Sequence, residues 1–500
     1  MKTIAIIGAG LSGLATAKAF LERGFSIELF EKSGGLGGVW EGSRSYLGVA
    51  TQTTRDEYAF SDFPMPAHYP LWPSGKQVEG YLQAYADQFG ITPHIRFRTE
   101  VRHVERENTR WRVRYSDAAS QSESIFDAVV VCTGTFHHPF VPTIPGAEGF
   151  REAGGALYHS TEVKDEDQLH GKRVVVVGFA KSATDLAARA ADVGTKCHLV
   201  YRKAQWKVPR YFGNKVNMKY LLFSRFSEAF FDAPEKTAFQ KFLHTAGKPL
   251  VWLQWRTLEA LLTRQFGLRK CGMRPAHRIE DQIGCSLGVE PPGFYERVRS
   301  GAIEAHCTEI DRFEGRTVVL KNGTRLDCDV VVFGTGFRQA LPFFGQDVHR
   351  VLTDNSGLFR LYRNILPPTL PNLAFIGYNS SFFSTLTSEI AAQWLAAAMA
   401  GRLALPFKEA MEHSVDQALT WRRTVRPGAA EFGGSCVAPF NFMHLDSLMR
   451  DLGLRTRASR NGLREFFKPI DPKDYGKLLK DLSRQPAPTV YPRAAETVTA

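Results

Sequence analysis

Short, uncharged β-branched runs that end in glycine alternate along this chain with longer stretches of helical spacing. Thr3-Ile4-Ala5-Ile6-Ile7 carries no charge and predicts a strand buried on both faces. Gly8-Ala9-Gly10-Leu11-Ser12-Gly13 follows, then an Ala-rich helical pattern through Leu21 and a second strand from Ser26 to Phe30. A helix is predicted at about 75–90, where Val78, Tyr81, Leu82, Tyr85, Ala86 and Phe89 recur at helical spacing. Strands follow near 94–105 and 110–116, and Ala128 to Cys132 is a buried strand that turns at Thr133-Gly134. The opening grammar then returns. A strand at Arg173–Val177 meets Gly178, a helix starts near Lys181, and a strand runs from Lys196 to Val200. An Asn-Gly hairpin at 318–326, a strand at 329–333 leading into Gly334-Thr335-Gly336, a third strand-then-glycine at 372–377 and a helix at 388–400 complete the pattern.

Strand, G-x-G-x-x-G and helix in that order make a phosphate cradle. Gly8 permits the tight turn, Gly10 lets a pyrophosphate reach the backbone, and Gly13 lets the helix lie close to the strand. The helix N-terminus then holds the anion. Glu31 ends the second strand, 23 residues after Gly8. A carboxylate there accepts hydrogen bonds from ribose hydroxyls and repels a 2′-phosphate, which selects FAD or NAD. The run Gly34 to Gly38, before Val39 and Trp40, is a loop placed for cofactor contact. In the second copy, Gly178 is followed by Ala180, Lys181, Ser182 and Ala183, with alanine in place of the later glycines. Arg202 and Lys203 end its second strand, Arg202 standing 24 residues after Gly178. Two cations there suit a 2′-phosphate, and one charge-assisted hydrogen bond, worth roughly 1.5–3 kcal/mol, gives about a tenfold to hundredfold preference for NADPH.

The predicted fold class is therefore α/β, with two Rossmann-like dinucleotide-binding domains, one for FAD and one for NADPH, the second inserted in the first. The expected limits are 1–160 and 313–470 for the FAD domain and 161–312 for the NADPH domain, with an aromatic-rich insertion at 205–270 and a mobile tail at 471–500.

Bulk properties narrow the function further. A chain of 500 residues exceeds one ordinary core. The net charge of +12 suits an anionic cofactor, yet no Lys/Arg block of nucleic-acid type stands out. Seven scattered cysteines with no C-x-x-C support neither a zinc site nor a disulfide framework, lack the redox pair of a disulfide reductase, and fit a cytoplasmic protein. His137-His138 reads as loop polarity, and no metal is expected. The first strand begins too early for a signal peptide, and no run of about 18 apolar residues exists. The aromatic segment 58–73 predicts ordered, non-helical structure. Trp206, Trp252, Trp255 and the amphipathic stretches 218–223 and 249–253 read as core packing, with contact to a membrane surface left open. A homodimer is also left open.

Together these residues resemble the flavin-containing monooxygenases. The likeness spans residue 3 to about 470 and includes the first glycine motif, Gly37 to Trp40, Ser61-Asp62-Phe63-Pro64, both Thr-Gly strand ends and the second nucleotide site. The family linker F-x-G-x-x-x-H-x-x-x-[YF]-[KR] is matched at Gly155, His159 and Lys164 but not at Ala153 or Val163. Gly178 to Ala183 and Gln52 to Phe60 are most similar to the plant-type N-hydroxylating branch. The resemblance implies that NADPH reduces FAD, that reduced flavin takes O2 to a C(4a)-hydroperoxide, and that its distal oxygen passes to an amine or a sulfide. It also implies Leu11, Ser12, Lys32, Gly38, Val39, Trp40, Val101, Thr133, Gly134, Thr335, Gly336 and Glu389 as cofactor-binding residues. Gln52 stands where much of the family has a catalytic asparagine. The alternatives are Baeyer–Villiger oxygenation of a ketone and a non-oxygenating NADPH oxidase or flavoprotein scaffold.

Overall fold

The computed structural model describes residues 2–117, 120–283, 288–379, 381–425, 441–459 and 461–484. Two parallel five-stranded sheets organise the chain. The first has the order Leu373–Phe375, Ala128–Val131, Thr3–Ile7, Ser26–Phe30, Ile95–Arg96. The second has the order Ile303–Cys307, Lys196–Tyr201, Arg173–Val177, Val330–Phe333, Ala156–His159. Uncharged runs such as Ile4–Ile7 and Val174–Val176 sit at the sheet centres because helices or meanders cover both faces.

The two sheets share a construction. Each opens strand, glycine turn, helix, strand, and each is later crossed by a three-stranded antiparallel meander, at 100–126 and 310–327. Each then returns a strand to the other side of the first one. An aspartate fastens that return. Asp127 Oδ2 accepts from the Thr3 N–H at 2.7 Å, and Asp329 Oδ2 from the Arg173 N–H at 2.8 Å. The Arg173 guanidinium also bonds Asp329 at 2.9 Å and holds its carboxyl down at about 2.

This pairing alters the expected domain limits. Ala156–His159 and Val330–Phe333 belong to the second sheet, and the separate 310–327 meander packs on it, although 1–160 and 313–470 placed much of this with the first unit. The linkers between the units pair as a short antiparallel ribbon of His138–Pro139 with Phe337–Arg338. His159 ties the ribbon to the second sheet, its ring nitrogens meeting Thr161 Oγ1 at 2.8 Å and the Gly336 carbonyl at 3.0 Å. Lys164 donates to the Gly42 carbonyl at 3.0 Å and the Ser45 carbonyl at 2.5 Å. The ring resting against Gly155 is that of Phe150.

The tail expected from residue 471 is corrected in part. Pro472–Arg484 is a helix, with Tyr475 and Leu478 buried. Its Tyr475, Leu478, Leu479 and Leu482 recur at helical spacing, a signal that the polar composition masked. Residues 485–500, Cys285 and Cys436 lie outside the described residues. In the 205–270 insertion, Trp206, Phe223, Phe231, Trp255 and Phe266 are buried, while Tyr220, Phe242, Leu250, Trp252 and Leu253 are exposed. The stretch at 218–223 holds only a single helical turn, Lys219–Leu222, whereas 249–253 opens the long helix Lys248–Phe266. Among the described residues no helix is long and apolar enough to cross a membrane.

Glu389, on the helix Ser384–Met399, pins the aromatic segment to this core. It accepts from the Ser61 N–H at 2.8 Å and the Ser61 hydroxyl at 2.7 Å. Burial, with Asp62 nearby, pushes its carboxyl up to about 7. Because that value lies above the 4.5 of a free carboxyl, its stabilising share is complete below pH 4.5 and is lost as pH rises through about 7. Glu389→Gln is therefore expected to gain up to about 3 kcal/mol on the parent between pH 5 and 8, read as a widening difference in thermal midpoint; a constant difference refutes this. Leu478→Ala is expected to cost about 2–5 kcal/mol, checked by the same measurement, if the last helix is part of the core.

Candidate active site

Both sheets present the ends of their first strands to one cleft of about 2360 Å³. A single-ligand pocket holds roughly 300–1,000 Å³, so this cleft has room for more than one large ligand.

On the first side the turn depends on Gly8, whose φ is +104° and where a Cβ would stand 2.9 Å from the Cys132 carbonyl oxygen. The helix Leu11–Leu21 starts at Gly10 with its first N–H groups open to the cleft. Glu31 is buried; it accepts from the Ala9 N–H and the Ser33 N–H, each at 2.8 Å, and so is fixed beside the turn. Gly38 lies against Gly10, where a Cβ would come within 3.0 Å of the Gly10 Cα. The Trp40 indole donates to the Tyr58 hydroxyl at 3.0 Å. Thr133 shares a 2.9 Å hydrogen bond with the Tyr378 hydroxyl.

On the second side Gly178 has φ +122°, and a Cβ there would stand 2.4 Å from the Gly334 carbonyl oxygen. The helix Lys181–Val193 begins at Ala180. Lys181 pairs with Asp185, which also accepts from the Tyr46 hydroxyl of the first unit at 2.7 Å. Arg202 and Lys203 are exposed at the end of their strand and line the same cleft. The cleft thus carries an acid at one nucleotide turn and two cations at the other.

Most residues singled out from the sequence meet here. Gly8, Gly10, Leu11, Ser12, Glu31, Lys32, Gly38, Val39, Trp40, Gln52, Val101, Thr133, Gly134, Gly178, Ala180, Lys181, Ser182, Arg202, Lys203, Thr335 and Gly336 all line the cleft. Three, Gly13, Ala183 and Glu389, do not line it. Gly13 lets the first helix close on the strand, since a Cβ would stand 1.9 Å from the Gly8 carbonyl oxygen. Ala183 packs against Gly334 in the same way, and Glu389 holds Ser61 behind the wall. Gln52 turns its Oε1 to the Val289 N–H at 3.1 Å, which links the two units and leaves its amide nitrogen as the donating end.

Sequence reasoning missed Arg44, Thr135, Lys207 and Asn379, which also line the cleft. Among the described residues Asn379 Nδ2 and Thr135 Oγ1 are buried without a hydrogen-bond partner. Unpaired polar atoms of this kind fit a bound polar ligand. Thr135 and Asn379 had a signal, standing one and two residues beyond the glycines of the 128–134 and 372–377 strands. The ring nitrogens of His137 face the carbonyls of Gly134 and Ala340 at 2.9 and 2.6 Å, and so are committed to the backbone. Among the described residues one group with metal-ligand potential, His198, Glu304 and His306, gathers on the second sheet away from the cleft, and Lys196 already engages Glu304 at 2.9 Å.

Residues 1–425 match the model of the family described as Flavin-binding monooxygenase-like. The chain is 31% identical to a probable flavin-containing monooxygenase 1 of Arabidopsis thaliana, over 94% of this chain and 96% of that one. In structure it is similar to the S-allyl-L-cysteine S-oxygenase of Allium sativum, with a TM-score of 0.62, 20% identity and coverage of 97% of this chain and 92% of the other. It is also similar to OTEMO in complex with FAD and NADP, with a TM-score of 0.63, 15% identity and coverage of 83% and 89%. With both nucleotide turns facing one cleft and this match over most of its length, the chain belongs to the flavin-binding monooxygenase family.

Proposed function

We propose that this protein is an NADPH- and O2-dependent FAD monooxygenase that oxygenates a soft nitrogen or sulfur atom. The observation that carries the reading is the charge contrast across one cleft, Glu31 at the first turn and Arg202 with Lys203 at the second. Glu31 suits the ribose of FAD, and the two cations suit the 2′-phosphate of NADPH. The neighbour that holds FAD and NADP supports the same pair of cofactors. When bound, the flavin supplies the redox step and the activation of O2.

The chain's own residues position and shelter that chemistry. The helix N-termini at Gly10 and Ala180 receive the two pyrophosphates. Asn379 and Thr135 offer unpaired polar atoms to the bound groups. Trp40, Tyr58 and Phe382 form apolar wall and exclude water. Gln52 holds a donor in the cleft from a side chain already anchored to Val289. The alliaceous S-oxygenase favours sulfur as the target, and the plant-type signature Gly178 to Ala183 favours nitrogen.

Purified protein reconstituted with FAD is expected to consume NADPH and O2 faster on addition of a thioether or amine, with one oxygen atom in the product; a ketone converted to an ester instead refutes the nucleophile assignment. Gln52→Ala is expected to keep NADPH consumption while product per NADPH falls about five- to tenfold and hydrogen peroxide rises. Unchanged coupling removes Gln52 from the site. Arg202→Ala with Lys203→Ala is expected to raise the KM for NADPH at least tenfold and leave that for NADH unchanged. Equal effects on both nucleotides contradict a 2′-phosphate clamp.

A further inference from the structure

Lys207 is the one lysine placed among the largest fully buried side chains, at 2% exposure, yet it lines the cleft. It lies on the short strand Lys207–Val208, which pairs with Gly288–Val289. Its Nζ is 5.3 Å from the centre of the Phe179 ring, and among the described residues it has no hydrogen-bond partner or ion pair. The charged groups that face it are already engaged. Asp185 belongs to Lys181 and Tyr46, and Glu290 accepts from the Phe294 N–H at 3.1 Å. Lys181 itself adds a second positive charge. A buried ammonium without a counter-ion is costly, and a ligand anion removes that cost.

The position says which ligand. The phosphates of the two nucleotides have their own sites, at the glycine turns and at Arg202 with Lys203. Lys207 stands beside Phe179 and Lys181 of the second turn and also borders Gly288, where an added Cβ would stand 3.3 Å from its Nζ. Val289, the next residue, holds Gln52. The ammonium therefore lies between the second turn and the short strand that holds Gln52. We propose that Lys207 receives a carboxylate carried by the substrate, so that the enzyme acts on amino- or thioether-carboxylic acids in preference to neutral amines and sulfides. The inference rests on the monooxygenase reading above. Burial lowers the ammonium to about 7, which fits a group that recovers its full charge when an anion docks.

The test compares acids with their carboxamides on the FAD-loaded enzyme, with NADP+ present for binding and NADPH and O2 supplied for turnover. Methylthiopropionate is paired with methylthiopropionamide, and dimethylaminobutyrate with dimethylaminobutyramide. Binding is measured by calorimetry and oxygenation by product analysis, for the parent, Lys207→Met and Lys207→Arg. The parent is expected to bind and turn over at least one acid about ten- to a hundredfold better than its amide. Lys207→Met is expected to bring that ratio close to one through KM, with kcat and the KM for NADPH unchanged, and Lys207→Arg to retain most of it. Full flavin content shows that each variant is folded. An acid that binds no better than its amide overturns the proposal, as does a preference that survives Lys207→Met. A matching rise in the KM for NADPH also overturns it, since the lysine would then serve the nucleotide. Preferential binding of acids without oxygenation upholds the lysine's role and refutes the reaction class instead.

Discussion

Each half of this protein depends on the close approach of three pieces of backbone at the end of one strand. At Gly8 and at Gly178 the chain takes a φ that L side chains rarely adopt, and the returning strand presses its carbonyl into the space a Cβ would need. That contact brings the start of the following helix over the sheet edge. It thereby turns free N–H groups and a positive helix end toward the cleft. A side chain at either position would displace the returning strand and the helix together.

The second half repeats the first in construction and departs from it in charge. The aspartates at 127 and 329 fasten equivalent strands by equivalent hydrogen bonds to backbone. The meanders at 100–126 and 310–327 cover equivalent faces. What differs is the residue at the end of the second strand. Glu31 has two backbone donors and sits at the turn, whereas Arg202 and Lys203 project from a looser edge. One architecture thus carries two glycine turns that differ in a few local charges, while His159 and Lys164 of the linker bond to Gly336 and to Gly42 of the first unit.

The cleft also separates two treatments of buried charge. Glu31 and Asp185 are met by fixed donors within the protein. Lys207, Asn379 and Thr135 offer donors that have no partner among the described residues. Fully paired groups set the shape of the site, and unpaired ones are the places where a ligand gains most on binding.

The sequence by itself determined the two sheets' central strands, the glycine turns and the opposed charges, because each of these is written within about thirty consecutive residues. A strand period, a turn that only glycine makes and a charge at a fixed offset are local properties of a chain. Tertiary structure alone decided that Val330–Phe333 joins the second sheet and not the first, where it pairs with Arg173–Val177 and Ala156–His159 and Asp329 fastens it to Arg173. It alone paired Glu389 with Ser61, and it alone brought Lys207 beside Gly288, the neighbour of the residue that holds Gln52. Those relations join residues about 150 to 330 positions apart or cross between units, and no pattern of neighbours along the chain encodes them.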